Sequence, residues 1–185
     1  KIDHIMSHGP KWVGVSIFSV NSVVATINFL TLLKQRYPEQ RIVAGGMGLS
    51  SFGLGGAANF GDFLVERGLI NTYVSGEGEY SILEILDGEL QPRLAAQTDI
   101  LDDLPFADYS DFDFTLYPGK ENMIYITGSR GCVRRCTFCD INSLWTKFRF
   151  RSGESLASEM LEGYTRYGTL DFYFTDSLMN GSLKE

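Results

Sequence analysis

Cys132, Cys136 and Cys139 are the only cysteines in the 185-residue chain, and all three fall in residues 131–139. The stretch reads Gly131-Cys132-Val133-Arg134-Arg135-Cys136-Thr137-Phe138-Cys139, a CxxxCxxC spacing. Thiolates are soft ligands suited to zinc, copper or iron–sulfur centres. Three on one short loop can converge on one centre and leave its fourth position open. A structural zinc site takes four Cys or His ligands, and the only histidines, His4 and His8, stand far off at the amino terminus. A redox dithiol fits Cys136-Thr137-Phe138-Cys139 but gives Cys132 no role. An electron-carrier cluster normally takes four thiolates. The spacing favours an iron–sulfur cluster with one iron open to a substrate or cofactor.

The elements around the cysteines must hold that loop. Residues 123–127 are an apolar run that reads as a strand, and Thr127-Gly128-Ser129-Arg130-Gly131 forms the turn into the loop. Beyond it, Ser152 is placed to cap a helix over 153–167, with Leu156, Met160 and Tyr164 along one face and Gly168 as its stop. Residues 170–174 read as a second strand, followed by Thr175-Asp176-Ser177.

The amino-terminal half repeats the alternation. Residues 12–18 read as a buried strand, and Asn21 or Ser22 as the cap of a helix carrying Val23, Ile27, Leu30 and Leu33. A strand at 41–44 ends in Gly45-Gly46-Met47-Gly48, a helix runs over about 57–66 to Gly68, and a third strand occupies 71–75. Gly76-Glu77-Gly78-Glu79 then leads into a helix through Leu83 and Leu86. Strands alternating with helices predict an α/β domain whose parallel sheet is covered on both faces. Gly45, Gly46, Gly53, Gly55 and Gly56 let a backbone approach a ligand, but alone they read as a flexible turn, and no GxGxxG follows these strands. Residues 91–118, rich in Asp and punctuated by Pro105 and Pro118, read as an extended linker that packs its aromatics on its neighbours. Its acidic residues read as solvated surface.

Composition narrows the class. Hydrophobic residues make up 44% and charged residues 21%, the balance of a globular protein. A net charge of −7 argues against coating nucleic acid. Residues 117–151 nevertheless carry seven basic side chains against two acidic ones, a local charge suited to an anionic ligand or simply to a solvated face. No apolar run approaches the roughly 18 residues needed to cross a bilayer, and no secretory signal is visible, although the chain opens at Lys1 without Met. Clustered, odd-numbered cysteines do not suit a secreted disulfide framework, so a cytoplasmic location is expected.

Cys132 to Cys139 resembles the CxxxCxΦC signature of the radical S-adenosylmethionine (radical SAM) superfamily, with Phe138 as the aromatic Φ. Leu104-Pro105-Phe106 is similar to the linker before the core of its cobalamin-domain subclass, and Arg149-Phe150-Arg151-Ser152 to the segment opening the first barrel helix. Phe172-Tyr173-Phe174-Thr175-Asp176-Ser177 resembles the second strand with its acidic end. Val13-Gly14-Val15-Ser16, Gly45-Gly46 and Gly76-Glu77-Gly78-Glu79 are similar to that subclass's cobalamin (B12)-binding domain.

The resemblance implies a Rossmann-like, cobalamin-binding-type sheet domain over 1–90, a linker over 91–121, and from 122 the first β/α units of a partial TIM barrel. It further implies that Cys132, Cys136 and Cys139 ligate a [4Fe-4S] cluster. Phe138, Asp176 and Ser177 would then contact S-adenosylmethionine (SAM), and Ser16, Gly45 and Gly46 cobalamin. The implied partners are a small-molecule or peptide substrate and an electron donor such as a flavodoxin or ferredoxin, with no membrane or nucleic acid. Cobalamin-dependent methyl transfer, a radical SAM enzyme without cobalamin, and a non-catalytic Fe–S or metal module are the functions to separate. A methylthiotransferase is disfavoured, because no cysteine precedes Cys132. Two departures stand out. Lys1 to Pro10 holds no DxHxxG cobalt-ligand motif, and Asp176-Ser177 stands where a GGE is common. The single βαβ unit after 122 is expected to be the start of a larger domain, since a barrel takes roughly 250 residues.

Overall fold

The computed structural model describes residues 1–49, 57–88, 94–96, 98–117, 123–139, 141, 145 and 147–181. The glycines at 53, 55 and 56, and Pro118, lie outside the described residues. Contacts divide the chain into two compact units, Lys1–Thr98 and Asp99–Glu185.

The first unit is a parallel four-stranded sheet in the order β1-β2-β3-β4, formed by Trp12–Ser16, Arg41–Gly45, Thr72–Gly76 and Leu94–Ala96. Helix α1 (Ile2–Met6) precedes it, and α2 (Val23–Arg36), α3 (Phe60–Glu66) and α4 (Ser81–Leu86) make the crossovers. Leu30 and Leu33 of α2 and Phe60 and Leu64 of α3 pack with Val13, Ile42, Ala44 and Tyr73 on one sheet face. Ile85 of α4 packs with Val43 and Val74 on the other. The central strands β2 and β3 are therefore buried on both faces, which is why they read as unbroken apolar runs. α3 lies close to the sheet because Gly61 has no side chain: a Cβ there would meet the Tyr73 ring at 2.8 Å.

The observed elements correct the reading in places. Strand β1 ends at Ser16 and alternates in burial, so Phe18 is 76% exposed rather than buried. The turn after it explains this. Ile17 donates to Gly45 O, and Ser19 accepts the Asn21 amide to cap a 3-10 turn that leads into α2, whose N-cap position is Ser22, as expected, though its side chain makes no capping bond. Glu77 is buried and accepts the Thr98 amide at 2.8 Å, tying the end of the sheet to the residues beyond β4.

In the second unit, β5 (Ile124–Ile126) and β8 (Phe172–Phe174) pair in parallel, with α5 (Gly153–Tyr167) between them in sequence. β6 (Ser129–Arg130) and β7 (Arg149–Phe150) form a separate antiparallel pair. Ser152 caps α5 by accepting the Ser155 amide, and Gly168 ends it. Its buried face is the expected one only in part. Leu156 and Met160 are half-buried, Tyr164 is 55% exposed, and the fully buried positions are Glu159 and Gly163. Gly163 is the reason, because a Cβ there would crowd Ile124 of β5 and Phe172 of β8 at 3.2 Å. Glu159 follows because Arg151, also buried, forms an ion pair with it.

Residues 99–117 are more than a solvated tether. Asp102 accepts the Ser152 amide at 2.9 Å, and Tyr109 donates its hydroxyl to Tyr125 O while its amide donates to Tyr167. The carboxyl of Asp108 is held well below the usual range by Ser110, and further by Arg166 and Tyr167. These aspartates stay at the surface, yet they fasten the segment to the second unit. No helix among the described residues is long and apolar enough to cross a membrane.

Candidate functional site

The cysteine loop leaves the carboxyl end of β5 and is closed by the β6/β7 pair, in register Ser129↔Phe150 and Arg130↔Arg149. Gly131 makes the sharp departure. Its φ of +91° suits glycine, and a Cβ would sit 2.5 Å from Lys147 O, so entry and exit strands pass without room for a side chain. The guanidiniums of Arg130 and Arg149 both lie over the Trp145 ring, at 5.7 and 5.9 Å from its centroid. Lys147 pairs with Asp99 at 3.2 Å. Neither the closure nor these tryptophan contacts were evident from the cysteine spacing.

All three cysteines are free thiols. Cys136 is exposed and Cys132 and Cys139 are half-buried. Cys132 Sγ accepts the Arg134 amide at 3.4 Å, and the Cys139 amide donates to Cys136 O at 3.2 Å, which curls the second half of the motif into a turn. Among the described residues no three Cys, His, Asp or Glu side chains are gathered at metal-binding distance. The donor set still fits a cluster: three unoxidised thiols with access to solvent, on a loop whose ends are fixed. Phe138 is 90% exposed, so it does not anchor the loop in the core.

Asp176 follows β8 and is half-buried beside the turn, whereas Ser177 is exposed. Asp176 Oδ1 accepts the amides of Gly128 and Ser129 at 2.8 and 2.7 Å. Thr175 and Thr127 meet through their hydroxyls at 2.9 Å, and Ser129 donates its hydroxyl to Leu178 O at 3.0 Å. The chain after β8 is thus stitched to the chain that enters the cysteine loop.

In the first unit, the carboxyl ends of β1, β2 and β3 open into a groove of about 490 Å³ lined by Ser16, Val43, Gly45, Gly46, Val74 and Ile82. Gly46 shapes it: φ is +100°, and a Cβ would strike Ile17 O at 2.5 Å. The structure thus brings Ser16, Gly45 and Gly46 together at the sheet edge where open α/β sheets bind ligands. Gly46 is a fixed corner rather than part of a flexible turn. His4 and His8 stack edge-to-face at 5.1 Å on and just after α1.

No protein-family model matches the chain. It is similar to the anaerobic magnesium-protoporphyrin IX monomethyl ester cyclase of Synechocystis sp., at 24% identity over 198 residues. That similarity covers 95% of this chain and 38% of the cyclase, so the chain spans well under half of that relative's length. Taken with the cysteine motif, this distant similarity supports an enzyme of the radical SAM superfamily.

Proposed function

We propose that this chain is the cluster-bearing part of a radical SAM enzyme, with Cys132, Cys136 and Cys139 each holding one iron of a [4Fe-4S] cluster. The observation that carries this reading is the set of three free thiols on one loop, closed by β6/β7 at the carboxyl end of β5. SAM would occupy the position that the three cysteines leave open. A bound cluster would supply the one electron needed to cleave SAM to methionine and a 5′-deoxyadenosyl radical able to take hydrogen from substrate. The protein's own contribution is geometric. The β6/β7 closure fixes where the thiols start and end, and exposed Phe138 and Ser177 are free to meet the nucleoside and its polar groups. In the same reading, β5, α5 and β8 are the first repeat of a partial TIM barrel, and the basic stretch suits an acidic electron donor such as flavodoxin or ferredoxin.

Anaerobic reconstitution with iron and sulfide, followed by electron paramagnetic resonance, tests the proposal. The reduced protein is expected to give a [4Fe-4S]+ signal whose g-values change on adding SAM. Reduction by flavodoxin in place of dithionite is expected to give the same change. A signal indifferent to SAM sinks the enzyme reading and favours a non-catalytic electron carrier.

A finer reading adds cobalamin, held by a Rossmann-like first unit, and methyl transfer to an unactivated carbon of a small-molecule or peptide substrate. The groove at Ser16, Gly45 and Gly46 supports it, since backbone and small side chains there leave room for a flat ligand tail. The similarity to a tetrapyrrole ester cyclase supports ring formation as the competing reaction class. Incubation with hydroxocobalamin and desalting is expected to leave its visible bands on the protein. A colourless protein after that treatment removes cobalamin and methyl transfer from the proposal.

A further inference from the structure

We propose that Asp176 is a positioning residue for the cluster loop, holding the turn that launches it rather than binding SAM. The inference rests on the radical SAM reading and assigns this carboxylate a task within it. Two successive backbone N–H groups, of Gly128 and Ser129, converge on Asp176 Oδ1 at 2.8 and 2.7 Å. Such a pair of amides is a small anion-binding nest, and here the anion is supplied from β8. Charge-assisted bonds of this kind are among the stronger ones a surface carboxylate makes.

The turn is built to admit the carboxylate. A Cβ on Gly128 would lie 2.8 Å from Asp176 Oδ2, so a side chain at 128 and the carboxylate cannot share the space. The other face of the same turn is fixed by Arg151, whose amide donates to Gly128 O at 2.8 Å. Gly128 and Ser129 stand four and three residues before Cys132, with only Arg130 and Gly131 between Ser129 and that cysteine. A shift of this turn is passed to the first thiol with little slack. The Thr127–Thr175 contact and the Ser129–Leu178 bond flank the carboxylate, so β8 supports the loop along residues 175–178.

The test uses the full chain with three substitutions, Asp176→Asn, Asp176→Ala and Gly128→Ala. An asparagine carbonyl still accepts both amides, whereas alanine accepts neither and Gly128→Ala displaces an intact carboxylate. In apo protein, hydrogen exchange at the Gly128 and Ser129 amides is expected to quicken roughly tenfold or more in Asp176→Ala and Gly128→Ala, from loss of a charged acceptor. Asp176→Asn should stay near wild type. After reconstitution, iron and sulfide per chain should fall in the same two variants and be rescued in Asp176→Asn. The affinity of loaded protein for SAM, read from the resonance change, should match wild type in all three. The opposite pattern overturns the proposal: full cluster content everywhere, with SAM affinity lost in both Asp176→Asn and Asp176→Ala. Unchanged amide exchange in Asp176→Ala overturns it as well. If wild-type protein takes up no cluster, the radical SAM reading fails, and the exchange measurement still decides whether Asp176 holds the turn.

Discussion

Replacing any one of Cys132, Cys136 and Cys139 with alanine is expected to reduce 5′-deoxyadenosine formation to background, a loss of at least about 100-fold, because no side chain substitutes for cofactor chemistry. A cluster with two protein thiolates lacks the ligands that keep it on the chain. Iron content after reconstitution should fall with the activity, which separates loss of the cluster from damage to SAM binding. The fold itself should hardly notice. Cys136 is exposed, Cys132 and Cys139 are half-buried, and none belongs to a core cluster. Substitutions at such places usually stay within about 0.5 kcal/mol. Apo variants that melt with the wild type and lack only the cluster are the expected result. A variant that keeps a full complement of iron and cleaves SAM removes that cysteine from the ligand set.

Glu159→Ala is expected to do the reverse, damaging the second unit while leaving every putting-together of thiols chemically intact. Glu159 and Arg151 side chains are only 9% and 7% exposed, and the pair lies under α5. Arg151 also donates to Ser155 Oγ at 2.7 and 3.2 Å and stacks over Phe106 at 5.1 Å, while the Ala107 amide points at Glu159 Oε1 from 3.5 Å. Removing the carboxylate leaves a buried guanidinium without its counter-charge, a loss of about 3–5 kcal/mol. Against a typical domain stability of roughly 5–15 kcal/mol, that is a large share. The double change Arg151→Met with Glu159→Leu removes both charges and should recover most of it, since matched apolar pairs replace buried ion pairs at little cost. Urea unfolding followed by Trp145 fluorescence in a Trp12→Phe background reports on the second unit alone. A Glu159→Ala midpoint equal to wild type would show that the pair contributes nothing net.

The contrast between these two results reflects what could be seen in the sequence. The cysteine spacing, the Ser152 cap, the Gly168 stop and the parallel β/α alternation were all legible, because each depends on residues close together in the chain. The centre of the buried face of α5 was not. Helical periodicity sets Leu156, Met160 and Tyr164 along one face, and the first two are half-buried, but Glu159 goes deepest because a cation eight residues away receives it, and Gly163 because β5 and β8 press close. The β6/β7 closure was equally hidden, as two-residue strands carry no periodic signal. The family resemblance points to Asp176 as a SAM contact, yet its partners here, the amides of Gly128 and Ser129, have no side-chain signature at all. The role of Gly46 is hidden in the sequence for a related reason: only a positive φ and the nearby Ile17 carbonyl distinguish a required glycine from an indifferent one.

The antiparallel closure at Arg130 and Arg149 also sets which changes in length the chain can absorb. Once both ends of a loop are fixed, doubling its length adds only about 0.6 kcal/mol of closure entropy. Insertions between Cys139 and Trp145 should therefore be cheap, since they lengthen a ring already shut. An insertion between Gly128 and Cys132 is a different matter. It would slip the β6/β7 register by a residue and turn Arg130 and Arg149 to opposite faces. Related chains should accordingly vary in length on the return side of the loop and keep a constant count on the approach to the first thiol.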